Sequence, residues 1–294
     1  MRRLLGALVA LALVVSLNGA RAETDGAPAR HLRVADGRIV DGTGRTVLLR
    51  GVNVNQLGDY FQANPAVPAT LPFSRGDLEQ IAALGFNSVR LLVHWSRLEP
   101  ERGVRDTAYL ARIREAVGWA GELGLHVVLD MHQDAWGKYI ATDRDETCQA
   151  PLSHNPGWDG APEWATLTDG LSRCRLSLRE ASPAAAQAWQ SFWIDRDGIQ
   201  QHLVETWAWL AGAFKDDPAV VAYDLLNEPN PGFTIGASDV SLLGEFHRRA
   251  LSAIRTAEMG GLHKIVFFEP AATWSATSGG VPRPWTADKQ IVCA

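Results

Sequence analysis

The chain has 294 residues, with 28 Lys+Arg against 33 Asp+Glu for a formal net charge of -5. Apolar residues make up 46% and charged residues 21%, which supports a large core and argues against a disordered chain, while the mild acidity excludes the basic footprint of a nucleic-acid binder. Tryptophan is abundant, eleven against four tyrosines; its flat face suits the C–H faces of sugars, but large domains also bury it.

Residues 1–22 read as an export signal. Arg2 and Arg3 form a basic start, residues 4–17 are an apolar stretch too short to span ~30 Å of hydrocarbon comfortably, and Ala20-Arg21-Ala22 is a small-x-small cleavage pattern. Cleavage before Glu23 removes three arginines and takes the net charge from -5 to -8. No later stretch is long and apolar enough to cross a membrane, so the expectation is a secreted, extracellular, monomeric protein. An oxidising compartment favours pairing Cys148 with Cys174, which flank a loop-like region, at a gain of about 3 kcal/mol, and leaves Cys293 free.

Over residues 32–49, short apolar runs separated by Asp36-Gly37 and Asp41-Gly42-Thr43-Gly44 predict a hairpin. Residues 47–53 form an apolar strand followed by a long polar loop. Ser74 caps a helix in which Leu78, Ile81 and Leu84 share a face, and Gly85 stops it. A second strand spans 87–95; Leu110, Ile113, Val117 and Leu123 mark a second helix stopped by Gly124; a third strand spans 126–131. An insertion rich in Pro, Gly, Trp and Ser covers about 133–196. Ile199, Leu203, Leu210 and Phe214 then mark a third helix, 220–226 a fourth strand, and Leu243, Phe246, Ala250, Ile254 and Ala257 a fourth helix closed by Gly260-Gly261. Residues 264–268 are a fifth strand, and 290–294 start a sixth.

Strands apolar on both faces and alternating with amphipathic helices predict an α/β fold with a parallel sheet, either doubly wound or a (β/α)₈ barrel. Asn53, Arg90, His132, Asp134, Asn227, Glu228 and Glu269 all fall at or just past strand C-termini, where barrel active sites are assembled. No Gly-rich phosphate loop follows the first strand. The expectation is one catalytic TIM barrel over residues 23–294, with about five to six of its eight strands present and a β-hairpin at its N-terminal end.

The sharpest motif is Tyr223-Asp224-Leu225-Leu226-Asn227-Glu228-Pro229, an apolar strand that delivers an Asn-Glu pair before a proline. A partly buried glutamic acid there can protonate a glycosidic oxygen, and the asparagine can hold a sugar 2-hydroxyl in an oxocarbenium-like transition state. His132 and Asp134, with His126 or His154, are metal-type ligands, but a convincing further set converging from several strands is missing.

Leu49-Arg50-Gly51-Val52-Asn53, Asn87-Ser88-Val89-Arg90 and Leu225-Leu226-Asn227-Glu228-Pro229 together resemble glycoside hydrolase family 5. Asp130-Met131-His132-Gln133-Asp134 and Gly160-Ala161-Pro162-Glu163-Trp164-Ala165-Thr166 resemble its endoglycoceramidase branch. The resemblance covers about residues 32–294. It implies a (β/α)₈ barrel, no metal, no cofactor, and hydrolysis with retention through two carboxylates. Glu228 would be the acid/base, Asn227 its sugar-orienting neighbour, Arg90 the support of the nucleophile, and His132 and Asp134 the lining of the subsite for the cleaved sugar. A lysine that some branch members carry after the first strand has its nearest counterpart near Asp59. The family's nucleophilic glutamate follows a later strand and is expected to be absent from this sequence. Glu269, one β/α unit after Glu228, reads as a subsite or structural residue, because retaining chemistry needs carboxyls ~5 Å apart on opposite sides of the bond.

The implied substrate is a glycosphingolipid cut at its oligosaccharide–ceramide linkage, which entails peripheral contact with lipid. The alternatives are an endo-β-glucanase or other family 5 β-glycosidase acting on oligo- or polysaccharide and, from another class, a catalytically dead truncated remnant or carbohydrate-binding protein.

Overall fold

The Asp36-Gly37 turn, with φ of 49° and 71°, closes a hairpin of β1 (Arg33–Ala35) and β2 (Arg38–Val40), pairing Arg33 with Val40. The computed structural model describes residues 30–64, 66–143, 145–233, 241–273 and 285–294; the expected export signal lies outside them. Beyond the hairpin, β3 (Gly51–Val54), β4 (Ser88–Val93), β5 (His126–Met131), β6 (Val220–Asp224), β7 (Ile265–Phe268) and β8 (Ile291–Cys293) form one sheet. Each strand pairs in parallel with the next in the chain. A doubly wound sheet would reverse its strand order at a switch point; this uninterrupted order is that of a (β/α)₈ barrel.

Between the strands lie α1 (Arg75–Ala83), α2 (Trp95–Leu98), α3 (Thr107–Glu122), α4 (Pro183–Trp193), α5 (Ile199–Phe214) and α6 (Leu243–Ala257). Period-two alternation splits the strand residues between two cores. Val89, Leu91, Val127, Leu129, Tyr223 and Val266 join Leu78, Ile113, Val117, Leu210, Phe214, Phe246 and Ile254 in the large core between sheet and helices. Val128, Ala222 and Ile265 point the other way, into a small cluster that Leu32, Val34 and Ile39 of the hairpin segment cover, and Val221 joins them where the β5–β6 register shifts between Val127 and Val128. The hairpin thus plugs the interior, and the polar chemistry is confined to the opposite, C-terminal ends of the strands.

Three local expectations change. The first strand of the sheet begins at Gly51 rather than residue 47: Val47 and Leu49 pack against the hairpin cluster, and Ile39 accepts the Val47 N–H. Leu84, placed by helical spacing on the buried face, is exposed because α1 ends at Ala83 and Gly85 turns the chain at φ 83°. The insertion contains a real helix, α4, whose N-cap Ser182 accepts from Ala185 N–H and whose first turn holds Pro183.

The tryptophans mostly fill space. Trp95, Trp136, Trp189, Trp193 and Trp207 are buried, and Trp136 stands edge-on to Trp189 at 4.9 Å. Cys148 and Cys174 form a disulfide with Cα atoms 5.6 Å apart inside the insertion, and Cys293 is free and exposed. Among the described residues, no helix is long and apolar enough to cross a membrane.

Candidate active site

Register builds the centre of the site. Arg90 lies beside Val128 across β4 and β5, and Asp130 beside Asp224 across β5 and β6. One pleat above the apolar interior, Arg90 therefore meets a ring of acids. Its guanidinium donates to Asp224 Oδ2 at 2.8 and 3.1 Å, to Glu269 Oε1 at 2.8 Å and to Asn227 Oδ1 at 3.1 Å, and lies 3.2 Å from Asp130 Oδ1. One cation for three carboxylates leaves an excess of negative charge. Burial, and next the Asp130 carboxylate, push Asp224 up to about 7; burial likewise raises Glu269, with Asp130 and Glu228 adding to the shift.

Asn227 is locked on both sides. Its amide donates to Gln133 O at 3.1 Å, and its own carbonyl accepts from the Gln133 side chain. Glu228 follows on a corner with φ 37°, a sparsely populated conformation for a residue with a side chain. Its backbone N–H donates to Glu269 Oε2 at 2.7 Å, while the residue itself is exposed. The expected partial burial of the Glu228 carboxyl is thus not seen among the described residues: the β6 end turns it outward. The same hydrogen bond sets Glu269 and Glu228 side by side on neighbouring strand ends, on one side of the mouth. The acid that Arg90 supports here is this Glu269, together with Asp130 and Asp224.

His132 extends the site along β5. Its Nδ1 lies 2.7 Å from Asp130 Oδ2 and its Nε2 3.9 Å from Asp134 Oδ2. Burial opposes a charge on this ring, yet the Asp130 hydrogen bond and carboxylate hold His132 above the ordinary histidine value. Asp134 receives Arg179 at 2.7 Å, and burial followed by the Asp159 carboxylate raises it to about 6.

The outer wall comes from residues that no sequence motif singled out. His94 accepts the Asp59 N–H at Nδ1, 2.7 Å, which places its ring proton on Nε2, 2.9 Å from Asp159 Oδ2. Lys138 reaches Asp59 Oδ1 at 2.9 Å. The loop after β3 carries no lysine beside Asp59; the one that meets it comes from after β5. Asp159 faces Asp134 because the two form an isolated antiparallel bridge, and Gly160 permits it: a Cβ there would lie 2.4 Å from Gln133 Cβ. Period two within the strands was the available signal for Asp130 and Asp224, since each is a charge inside an otherwise apolar run. Asp59, His94, Lys138 and Asp159 carried no such signal.

His132, Asp134 and Asp159 bring ligand-type atoms within 4.8 Å of one another. Arg179 pairs with Asp134 and Asp130 with His132, whereas the buried Asp159 carboxylate has a hydrogen-bond partner on neither oxygen, although His94 Nε2 stands 2.9 Å from its Oδ2. The other candidate histidines do not join this group: His126 opens β5 at the far end of the strand, and His154 bonds Glu146 O at 2.6 Å.

Residues 40–293 match the sequence profile of cellulase, glycosyl hydrolase family 5. Endoglycoceramidase I of Rhodococcus hoagii is 32% identical over 252 residues, covering 82% of this chain and 46% of that protein. The endoglycoceramidase of Cyanea nozakii is 27% identical, covering 83% and 51%. Among solved structures, an endogalactoceramidase superposes with TM-score 0.86 at 51% identity, covering 90% of this chain and 59% of that one. Endo-glycoceramidase II from Rhodococcus sp. reaches 0.67 at 30% identity, covering 85% and 56%. The chain spans about half the length of the curated relatives it matches. Matched in profile over nearly all its described length and in fold to solved relatives, the chain belongs to glycosyl hydrolase family 5, and its sheet is part of a (β/α)₈ barrel.

Proposed function

We propose that this protein is a secreted, retaining β-glycosidase that cleaves the oligosaccharide–ceramide bond of glycosphingolipids, with Glu228 as general acid/base. The observation that carries this reading is the corner at the end of β6: Asn227 is clamped by Gln133 and Arg90, and Glu228 is turned into the open mouth on a positive-φ backbone. A sugar whose 2-hydroxyl meets Asn227 presents its glycosidic oxygen to the next residue, and a carboxyl there can donate the proton that the leaving group needs. His132 and Asp134 then face the hydroxyls of the glycone, one able to donate and the other to accept. The choice of ceramide over glucan as leaving group rests on the endoglycoceramidase and endogalactoceramidase likenesses. Retention requires a second carboxylate across the mouth, and on this reading Glu269 is not it, because it follows β7, the strand paired directly with β6, and so stands next to Glu228 rather than opposite it. Export follows from the signal read in residues 1–22, and an intact mass beginning at Glu23 checks it.

The test is Glu228→Gln in the full-length protein. Hydrolysis of a fluorescent glycosphingolipid is expected to fall by about 10²–10⁴, the usual weight of a general acid, while activated aryl glycosides lose less in the first step and azide restores the second. Circular dichroism and the melting curve are expected to be unchanged. Wild-type turnover of the glycolipid by the variant would refute the assignment.

A further inference from the structure

Glu228 stands on a corner that its side chain disfavours. A non-glycine residue at φ 37° keeps that conformation only when its surroundings hold it there. Two segments grip the corner. Just past β5, Gln133 donates to Asn227 O, and Met131 O accepts the Asn227 N–H at 3.3 Å. From the segment that follows β7, Ala272 N–H donates to Pro229 O at 2.9 Å, and Glu269 Oε2 accepts the Glu228 N–H at 2.7 Å. Of these bonds only the last holds the amide of Glu228 itself, and an N–H held in place fixes one side of the φ torsion.

Glu269 follows β7 directly, and its side chain is only 15% exposed. Its two oxygens meet two donors: Oε1 accepts from Arg90 Nη2 at 2.8 Å while Oε2 takes the Glu228 N–H. The same Arg90 nitrogen donates to Asn227 Oδ1 at 3.1 Å, so a closed ring of contacts runs from Arg90 through Glu269 and Glu228 to Asn227 and back. Both bonds to the carboxylate are charge-assisted, and therefore stronger than neutral ones. A glutamine in its place has one acceptor oxygen, and its NH₂ group would face the second donor. The ring thus calls for a carboxylate and not merely for a polar residue.

Resting on the glycosidase reading above, we infer that Glu269 is a positioning residue for the acid/base: it holds the Glu228 backbone so that the Glu228 carboxyl points at the glycosidic oxygen. It neither attacks the sugar nor donates the proton. With Glu269 shortened, the corner loses the bond on its amide and relaxes toward negative φ. The carboxyl, carried on the same Cα, then swings away from the bond it must protonate. A displacement of about 1 Å in a reacting group is enough to cost about 10² in rate.

The experiment measures kcat/KM of the full-length protein on two substrates: a fluorescent glycosphingolipid, whose leaving group needs the proton, and a dinitrophenyl glycoside, whose leaving group does not. Glu269→Ala is expected to lower the first about 100-fold and the second by less than about threefold, the pattern of a misplaced acid. In a Glu228→Gln background the same change is expected to cost the glycolipid no more than about twofold further, since no acid is left to position. Glu269→Gln, which keeps one acceptor, is expected to lose about tenfold on the glycolipid. Should the melting curve and the dinitrophenyl assay show that Glu269→Ala does not fold, Glu269→Gln carries the same comparison. Equal losses on both substrates would mean that Glu269 acts through Arg90 on the attacking carboxylate, or on the fold at large, and would overturn the inference. Full multiplication of the two losses in the double variant, or parental turnover by Glu269→Ala, would overturn it too. If the parent cleaves the glycolipid no better than Glu228→Gln does, the glycosidase reading has failed and the positioning role with it. Glu228-dependent turnover with a uniform Glu269 loss removes the positioning role alone.

Discussion

Arg90 holds one charge against three carboxylates, and this imbalance has a measurable consequence. The proton taken up near neutrality belongs to the Asp130, Asp224 and Glu269 cluster around the guanidinium, with Asp224 at about 7 in the folded chain against an ordinary carboxyl value near 3.9. The folded state therefore holds this proton more tightly than the unfolded one. The contribution to stability is present in full below pH 4 and is lost as pH rises through about 7. We expect Asp224→Asn to flatten the fall in stability between pH 5 and 8, by a few kcal/mol at most, when unfolding is followed by denaturant titration at each pH. An unchanged slope in the variant would mean that the carboxyl is ionised throughout. At this scale the sequence was legible where a motif carried the residue. Arg90, from inside β4 rather than its end, and His132, Asp134, Asn227 and Glu228, from just past β5 and β6, come into one face. The partners that tune them were harder to see, since the Asp59–Lys138 and His94–Asp159 pairs join loops far apart in the chain, and no periodicity links such positions.

At the scale of elements, the anchor between α2 and α5 is Glu99. It is fully buried and accepts from Trp95 Nε1 at 3.0 Å, Gly103 N at 2.7 Å, Arg105 at 2.6 Å and Thr206 Oγ1 at 3.0 Å, with His202 Nδ1 at 2.7 Å. Burial alone would raise this carboxyl, but the Trp95 and Gly103 hydrogen bonds and the Arg105 charge outweigh it and hold Glu99 below its ordinary value. Removing one member of so complete a set leaves a cation and several N–H groups without their acceptor. Glu99→Ala is therefore expected to cost about 3–5 kcal/mol in the denaturation midpoint, and the stability that Glu99 supplies in the parent chain is expected to be lost as pH falls below the carboxylate range. A cost under about 1 kcal/mol would show that water replaces the carboxylate freely. The long amphipathic helices and the inner strands were plain in the sequence because burial on a fixed period writes them there. Helix α4 was not read, although Ser182-Pro183 is an N-cap followed by a favoured first-turn proline. Its polar stripe is short, Gln187 and Gln190 alone, and is outweighed by the run of buried Ala184, Ala188, Trp189, Phe192 and Trp193.

For the molecule as a whole, the sheet order leaves β3 and β8 with one neighbour each among the described residues. Their burial is correspondingly thin: Gly51 and Asn53 of β3 and Cys293 of β8 are exposed, whereas every residue of β6 is buried. A barrel removes its edges by pairing the first strand with the last, and two free edges are a template for pairing with other chains. The inner cluster is exposed to the same hazard, since Phe267 and Val292 pack against it but are only partly buried. Each core side chain left in water forfeits about 1.5–3 kcal/mol, against a net stability of about 5–15 kcal/mol for a domain. A polypeptide consisting of residues 23–294 alone is therefore expected to melt at low temperature, to self-associate as its concentration rises, and to show no Glu228-dependent turnover of β-glucosides. Calorimetry, light scattering at several concentrations and a fluorogenic assay measure the three. A single sharp transition from a monodisperse monomer would show that the hairpin plug and the helical layer suffice without closure. Hydrolysis lost on Glu228→Gln would turn attention to Glu269, the carboxylate held against the Glu228 backbone, as the attacking group.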